Sequence, residues 1–82
     1  MTPAQRQAAR LVRAAIRLSS RYAAAGNDRM ARRAWNLASR LAYRCGGLSG
    51  ATWAGGGYGG IVLADGLIAV SPVPLIEARE AA

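Results

Sequence analysis

The chain has 82 residues, of which 52% are hydrophobic, and a formal net charge of +7, so it makes one small domain near the lower size limit for a single core. It contains no histidine, one cysteine and only four acidic residues. This composition argues against an internal disulfide and against a metal site built from cysteine and histidine. We therefore expect a protein that is not an enzyme and that uses no cofactor and no metal.

The charge is concentrated in the first half of the chain. Residues 1–45 hold ten arginines and a single acid, Asp28, for a net charge of +9. Residues 46–82 hold Arg79 against three acids, for a net charge of −2. All eleven basic residues are arginine, whose planar guanidinium suits phosphates and carboxylates. This asymmetry predicts a surface that faces an anionic partner, with nucleic acid the commonest.

The first predicted helix begins at a capping pattern. Thr2 can cap the helix, Pro3 suits its first position and Gln5 can complete a capping box. We expect the helix to run from Pro3 to about Ala25, where Gly26 ends it. Five arginines in this segment are spaced 4, 3, 4 and 4 residues apart, which places them within an arc of about 80° on a helix. They are Arg6, Arg10, Arg13, Arg17 and Arg21.

The second predicted helix follows almost at once and repeats this plan. Asn27 or Asp28 can cap it, and we expect it to run from Asp28 to about Cys45, as an antiparallel partner of the first helix. Its predicted core face comprises Met30, Ala34, Leu37, Ala38, Leu41 and Cys45, with Trp35 and Ala42 at the edge. Its arginines are Arg29, Arg33, Arg40 and Arg44 on the opposite face, with Arg32 beside them. Only Arg32 has an acid four residues away, which favours an external anion over a solvated, salt-bridged face.

Residues 46–60 form a glycine-rich loop, with eight glycines in fifteen residues. The match of Gly55–Gly60 to G-x-G-x-x-G is trivial in such a run, and an apolar segment follows it where a dinucleotide site needs a helix. We expect a flexible or tightly turning connector here, with a short strand at Ala51–Ala54 as an option.

Residues 61–71 are predicted to form a β-hairpin. Two aliphatic runs flank Asp65-Gly66, a favoured two-residue turn, and Asp65 is therefore interpreted as a turn residue. This register pairs Ile61 with Val70 and Leu63 with Ile68 on the face that covers the helices. The other face then carries Val62, Ala64, Leu67 and Ala69.

The complete prediction is an α+β fold in one domain over residues 1–82. An N-terminal antiparallel helical hairpin packs on a small C-terminal β-hairpin. Pro72 and Pro74 end the sheet, and residues 72–82 form a tail or a short helix. Because alanine supplies much of the apolar content, the core is thin, and we expect a homo-oligomer, most simply a dimer.

The aromatic residues and the cysteine leave alternatives open. Tyr22 and Tyr43 fall beside the arginines, where they can stack on bases or simply cap the core edge. Trp53 and Tyr58 in the glycine-rich loop are candidates for a partner-binding surface. Cys45 has no histidine to activate it and is expected in the core.

The leading hypothesis is a non-enzymatic nucleic-acid binder that engages phosphates through its arginines. The alternative is a small protein-binding inhibitor or adaptor that docks its arginine face on an acidic surface of a larger protein. The short chain, whose basic residues are all arginine, would suit a phage or mobile-element accessory protein, although no motif supports that assignment. The lone cysteine and the absence of a signal-peptide pattern fit a reducing, cytoplasmic location. We do not expect a membrane partner, because the alanine-heavy faces lack bulky anchors.

Overall fold

The computed structural model describes residues 2–51 and 57–75. Two helices, α1 (Pro3–Ala24) and α2 (Asp28–Arg44), are followed by the strands β1 (Leu48–Ala51), β2 (Gly59–Val62) and β3 (Ile68–Val70). The helices form an antiparallel hairpin that packs on the sheet. The predicted α+β fold, a helical hairpin on a small β-hairpin, is confirmed.

The ends of both helices follow from local side-chain chemistry. The Thr2 side chain accepts a hydrogen bond from the Gln5 backbone N–H, and the Gln5 side chain accepts one from the Thr2 backbone, which completes the predicted capping box. Gly26 has a φ of 78°, the left-handed conformation that ends α1. Asn27, and not Asp28, caps α2 by accepting a hydrogen bond from the Met30 backbone N–H.

Alanines line the contact between the two helices. Their small side chains allow the helix backbones to approach closely, and the Ser19 hydroxyl donates a hydrogen bond of 2.7 Å to the Ala31 carbonyl across the interface. Ser19 is fully buried, so this bond also satisfies a polar group that water cannot reach. The buried alanines of the two helices are Ala8, Ala9, Ala15, Ala31, Ala34, Ala38 and Ala42.

The buried face of α2 differs from the predicted one. Trp35 and Ala42, predicted at the edge of the face, are fully buried, whereas Leu37, predicted in the core, is 43% exposed. The physical reason is the position of the sheet. Gly59 of β2 lies so close to Trp35 that a Cβ there would be only 2.7 Å from the indole Nε1. The indole packs between α2 and the sheet, and Leu37, about 160° away around the helix, is left outside.

Three antiparallel strands form the sheet, in the order β1-β2-β3. β1 pairs with β2 from Leu48↔Val62 to Ala51↔Gly59, so the strand within the glycine-rich segment begins three residues before the predicted Ala51–Ala54. Gly47 connects α2 to this strand, and a Cβ there would lie 2.8 Å from the Val62 carbonyl oxygen. Glycine thus permits the close approach of the chain at this corner.

The predicted register of the β-hairpin is wrong by one residue. The structure pairs Gly60 with Val70, Ile61 with Ala69 and Val62 with Ile68. The loop has three residues, 64–66, closed by hydrogen bonds from Leu63 N to Leu67 O and from Gly66 N to Leu63 O. Gly66 alone in this loop has a positive φ, 101°, whereas the predicted two-residue turn requires one at Asp65 as well.

The shift of one residue exchanges the two faces of β3. Ile61 and Leu63 are buried as predicted, but Leu67 and Ala69 pack beside them in place of Ile68 and Val70. Ile68 and Val70 point outward and are 66% and 42% exposed.

Hydrogen bonds continue the hairpin beyond its strands. The Ser71 backbone N–H donates to the Gly59 carbonyl, and the buried Ser71 hydroxyl accepts from Gly59 N and donates to the Val73 carbonyl. β3 ends at Val70, before Pro72 and Pro74, as predicted. The remaining sequence predictions for residues 52–56 and for the tail from residue 76 lie outside the described residues. No helix in the described parts of the chain is both long and apolar enough to cross a membrane.

Candidate functional site

The arginines of α1 form one continuous row along the helix. Because α1 runs from Pro3 to Ala24 without a break, their 4-3-4-4 spacing becomes a line about 22 Å long. Four of the five side chains are exposed, and Arg13 is half-buried. We call this set the α1 row: Arg6, Arg10, Arg13, Arg17 and Arg21.

α2 carries a second row on the side opposite its buried alanines. Its four arginines are all exposed and fall within an arc of about 60°. Arg32 is half-buried and lies to the side of this row, four residues after Asp28. The α2 row comprises Arg29, Arg33, Arg40 and Arg44.

The two rows lie on different flanks of the helical hairpin. Arg13 and Arg17 line a groove together with Ile16 and Leu67, so the α1 row follows the side of α1 next to the β2–β3 loop. The α2 row points away from α1, since the opposite, buried face of α2 contains Ala31, which is hydrogen-bonded to α1. The helical pair therefore separates the rows, and they do not merge into one surface.

Within the described residues, the Asp65 carboxylate offsets part of the positive charge of the α1 row. The Asp65 carboxylate in the β2–β3 loop accepts a hydrogen bond of 2.7 Å from Arg13 Nη1 and forms an ion pair with it. This bond lowers the pKa of the Asp65 carboxyl, and a backbone hydrogen bond from Leu67 lowers it further. The hydrogen bond between Arg13 and Asp65 also raises the pKa of the Arg13 guanidinium. Asp65 is a turn residue, as predicted, but the sequence analysis missed its pairing with the row.

The aromatic candidates differ in their exposure. Tyr43 is 60% exposed and lies within about 20° of Arg32 around α2, so a planar group can reach its ring. Tyr22 and Tyr58 are half-buried. Trp53 lies outside the described residues. Tyr43 is therefore the candidate best placed for stacking.

Cys45 is buried, and its thiol donates a hydrogen bond of 3.3 Å to the Ala42 carbonyl, so it packs in the core as predicted. Within the described ranges, no three cysteine, aspartate or glutamate side chains lie together as a metal site requires.

Apolar side chains beside the rows were missed by the sequence analysis. Leu11, Leu18 and Leu37 are 45%, 41% and 43% exposed, although Leu37 was predicted in the core. The signal in the sequence was the excess of large aliphatic residues over what a narrow alanine interface can bury. Comparison with family models, with curated proteins and with solved structures finds no match, so the functional argument rests on the chain's own side chains.

Proposed function

We propose that this protein is a non-enzymatic nucleic-acid binder that holds the phosphate backbone with its arginine rows. The observation that supports this most directly is the arrangement of arginines in two rows. Along α1 and α2, nine arginines in two ordered lines face solvent or lie at its edge, and Asp65 forms an ion pair with one of them, Arg13. Lines of guanidinium groups match the bidentate geometry of phosphate oxygens.

The spacing of the α1 row suits a polyanion. Successive arginines are separated by about 4.5–6 Å along the helix axis, and long arginine side chains adjust easily to a repeating line of phosphates. Contacts of this kind position a protein on nucleic acid without reading its sequence. We therefore expect binding with little sequence preference, with Tyr43 available to stack on an unpaired base.

The salt dependence of binding tests this proposal. The exposed side chains of Arg10, Arg17 and Arg21 contribute about −3 to the slope of log affinity against log salt on duplex DNA, because each neutralised phosphate releases counterions. Replacing Arg10, Arg17 and Arg21 with glutamine should flatten the slope by about 3. The measurement is fluorescence anisotropy across a salt series, with random-sequence DNA and random-sequence RNA.

Asp65 provides a matched control, because its replacement should change the binding affinity in the opposite direction. Asp65→Asn removes the acid that competes for Arg13, so it should strengthen binding and steepen the slope by up to about 1. The variant Arg13→Gln should flatten the slope less than Arg10→Gln does, since Arg13 is already paired. If neither DNA nor RNA binds even at low salt, the proposal is wrong.

The second candidate function is docking of the basic helices on an acidic surface of a larger protein, as an inhibitor or adaptor. The exposed leucines favour it, because a phosphate backbone offers no apolar surface to cover them. In that case affinity concentrates in a few side chains, and most arginine substitutions are close to neutral. The salt-dependence measurements separate the two candidates, since phosphate binding requires Arg10, Arg17 and Arg21 to contribute similarly to the slope.

A further inference from the structure

An apolar strip runs along the helical hairpin on the side turned away from the sheet. Ile16 of α1 shares a groove with Leu67 of the β-hairpin, and Trp35 of α2 packs against Gly59 of β2. Leu18 and Leu37 lie two residues further along their helices, about 160° away around each axis. They therefore face away from the sheet. The members of the strip are Leu11, Leu18, Leu37 and the half-buried Leu41.

Part of this strip is concave. Leu11 of α1 and Leu41 of α2 line one groove between the helices, with the small side chains Ala4 and Ala8, two glutamines and an arginine also in the lining. Leucines on small residues make a trough of the kind that receives one face of another helix. The stretch from Ala4 to Leu18 is about 21 Å long, which corresponds to about 14 residues of helix.

Arginines border the strip on both sides. On α2, Arg33 and Arg40 stand four residues before and three residues after Leu37, which makes them its neighbours on the helix surface. On α1, Arg17 and Arg21 line the same surface depression as Leu18. The strip is therefore an apolar band between two lines of positive charge.

We propose that this strip is the docking site for an acidic amphipathic helix of a partner protein. Such a helix places its leucines in the trough and its aspartates and glutamates against the arginines on both sides. A second copy of this chain fits poorly, because it brings its own arginines against these arginines. The inference deepens the second candidate function and does not depend on binding of nucleic acid.

The probe is a synthetic helical peptide of about 15 residues, with leucines at i, i+3, i+4, i+7 spacing and glutamates on both flanks. A control peptide has the same composition with the leucines scrambled, so that its charge is equal and its apolar face is lost. Titrated against the full chain at physiological salt, the amphipathic peptide should bind at least about tenfold more tightly than the control peptide. Equal affinities would mean that charge alone acts, and the inference would be wrong.

Variants locate the site. The double change Leu11→Gln and Leu37→Gln should weaken peptide binding by about tenfold or more, because both side chains lie in the strip. The control Ala64→Gln places the same polar side chain at an exposed residue of the β2–β3 loop, outside the strip, and should leave peptide affinity unchanged. Nucleic-acid binding by the double variant should also be unchanged, so failure of this inference is distinguishable from failure of the first function.

A second measurement does not depend on any variant. Methyl resonances of Leu11, Leu18 and Leu37 should shift when the peptide is added, whereas those of buried Leu63 should not. If the double variant instead loses binding to vesicles with anionic lipids while the peptide fails to bind, the occupant is a membrane. If the variant instead changes the oligomeric state, the occupant is a second copy. Either result would overturn the proposal.

Discussion

The side chain of Asp65 determines how much positive charge the α1 row presents. It pairs with Arg13 at 2.7 Å, but both side chains remain about one-third exposed, so water and salt screen the attraction. The contribution of such a pair to the free energy of unfolding is small. Its main effect is local, because it neutralises the central arginine of the row.

The pH dependence of stability tests this ion pair. Arg13 lowers the pKa of Asp65 in the folded protein, so the pair stabilises the fold at pH values above the unfolded pKa of about 4. That contribution is lost as the pH falls through the lowered folded pKa. Wild type should therefore melt at a slightly higher temperature than Asp65→Asn at pH 7, and the difference should shrink toward zero at about pH 2. A difference that persists in acid would show that the ionised pair is not its source.

No local pattern predicts this pair, because Arg13 and Asp65 are 52 residues apart in the sequence. The dipeptide Asp65-Gly66 correctly predicts a turn. Which side chain the turn then meets depends on how the β-hairpin lies against α1. The packing of Ile61 and Leu63 sets that arrangement, and no short segment of the sequence predicts it.

At the scale of elements, the helices were predicted to within a residue at their ends, and the β-hairpin was not. Thr2, Gln5 and Gly26 act on backbone groups within a few residues, so the local sequence predicts their effect on the helix ends. The hairpin depends on a choice between two loop lengths that both accept Gly66. Three residues in the loop instead of two are enough to exchange Ile68 with Leu67 on the inner face.

The loop conformation can be tested at Gly66. Its φ is 101°, and a Cβ there would meet no atom within 4 Å, so any cost of a side chain comes from the backbone alone. Gly66→Val should lower the free energy of unfolding by about 1–3 kcal/mol. The control Ala64→Val places the same side chain at an exposed loop residue without a positive φ and should be nearly neutral. Chemical denaturation measures both. Equal losses in the two variants would contradict the loop conformation described above.

At the scale of the molecule, the arginines of the described residues all lie on the two helices. The helices carry the arginines, the sheet contributes Ile61 and Leu63 to the core, and the narrow alanine interface leaves several leucines outside. Periodicity predicts that α2 has one apolar face, but the observed buried face is rotated by about 60° from the predicted one. The rotation follows from the burial of Trp35 against β2, a tertiary contact that outweighs the helix's own pattern. The exposure of Leu37 is a direct consequence of that rotation.

The outer face of the sheet leads to a prediction of the assembly state. Ile68 and Val70 lie on the outer face of the sheet, opposite the face that packs on the helices, and are 66% and 42% exposed. Two copies that meet through this face cover apolar surface while their basic helices remain apart, so we expect a homodimer. Light scattering at micromolar concentration should give a mass of twice 8.5 kDa.

Two variants assign the dimer contact. Replacing Ile68 and Val70 with glutamate should give a monomer, because the like charges would face each other across the two-fold axis. The double change Leu11→Gln and Leu37→Gln should leave the dimer intact, since those leucines lie on the opposite side of the molecule. Wild-type protein that remains monomeric at micromolar concentration would contradict the expectation. A dimer that the glutamates do not disturb would place the contact elsewhere.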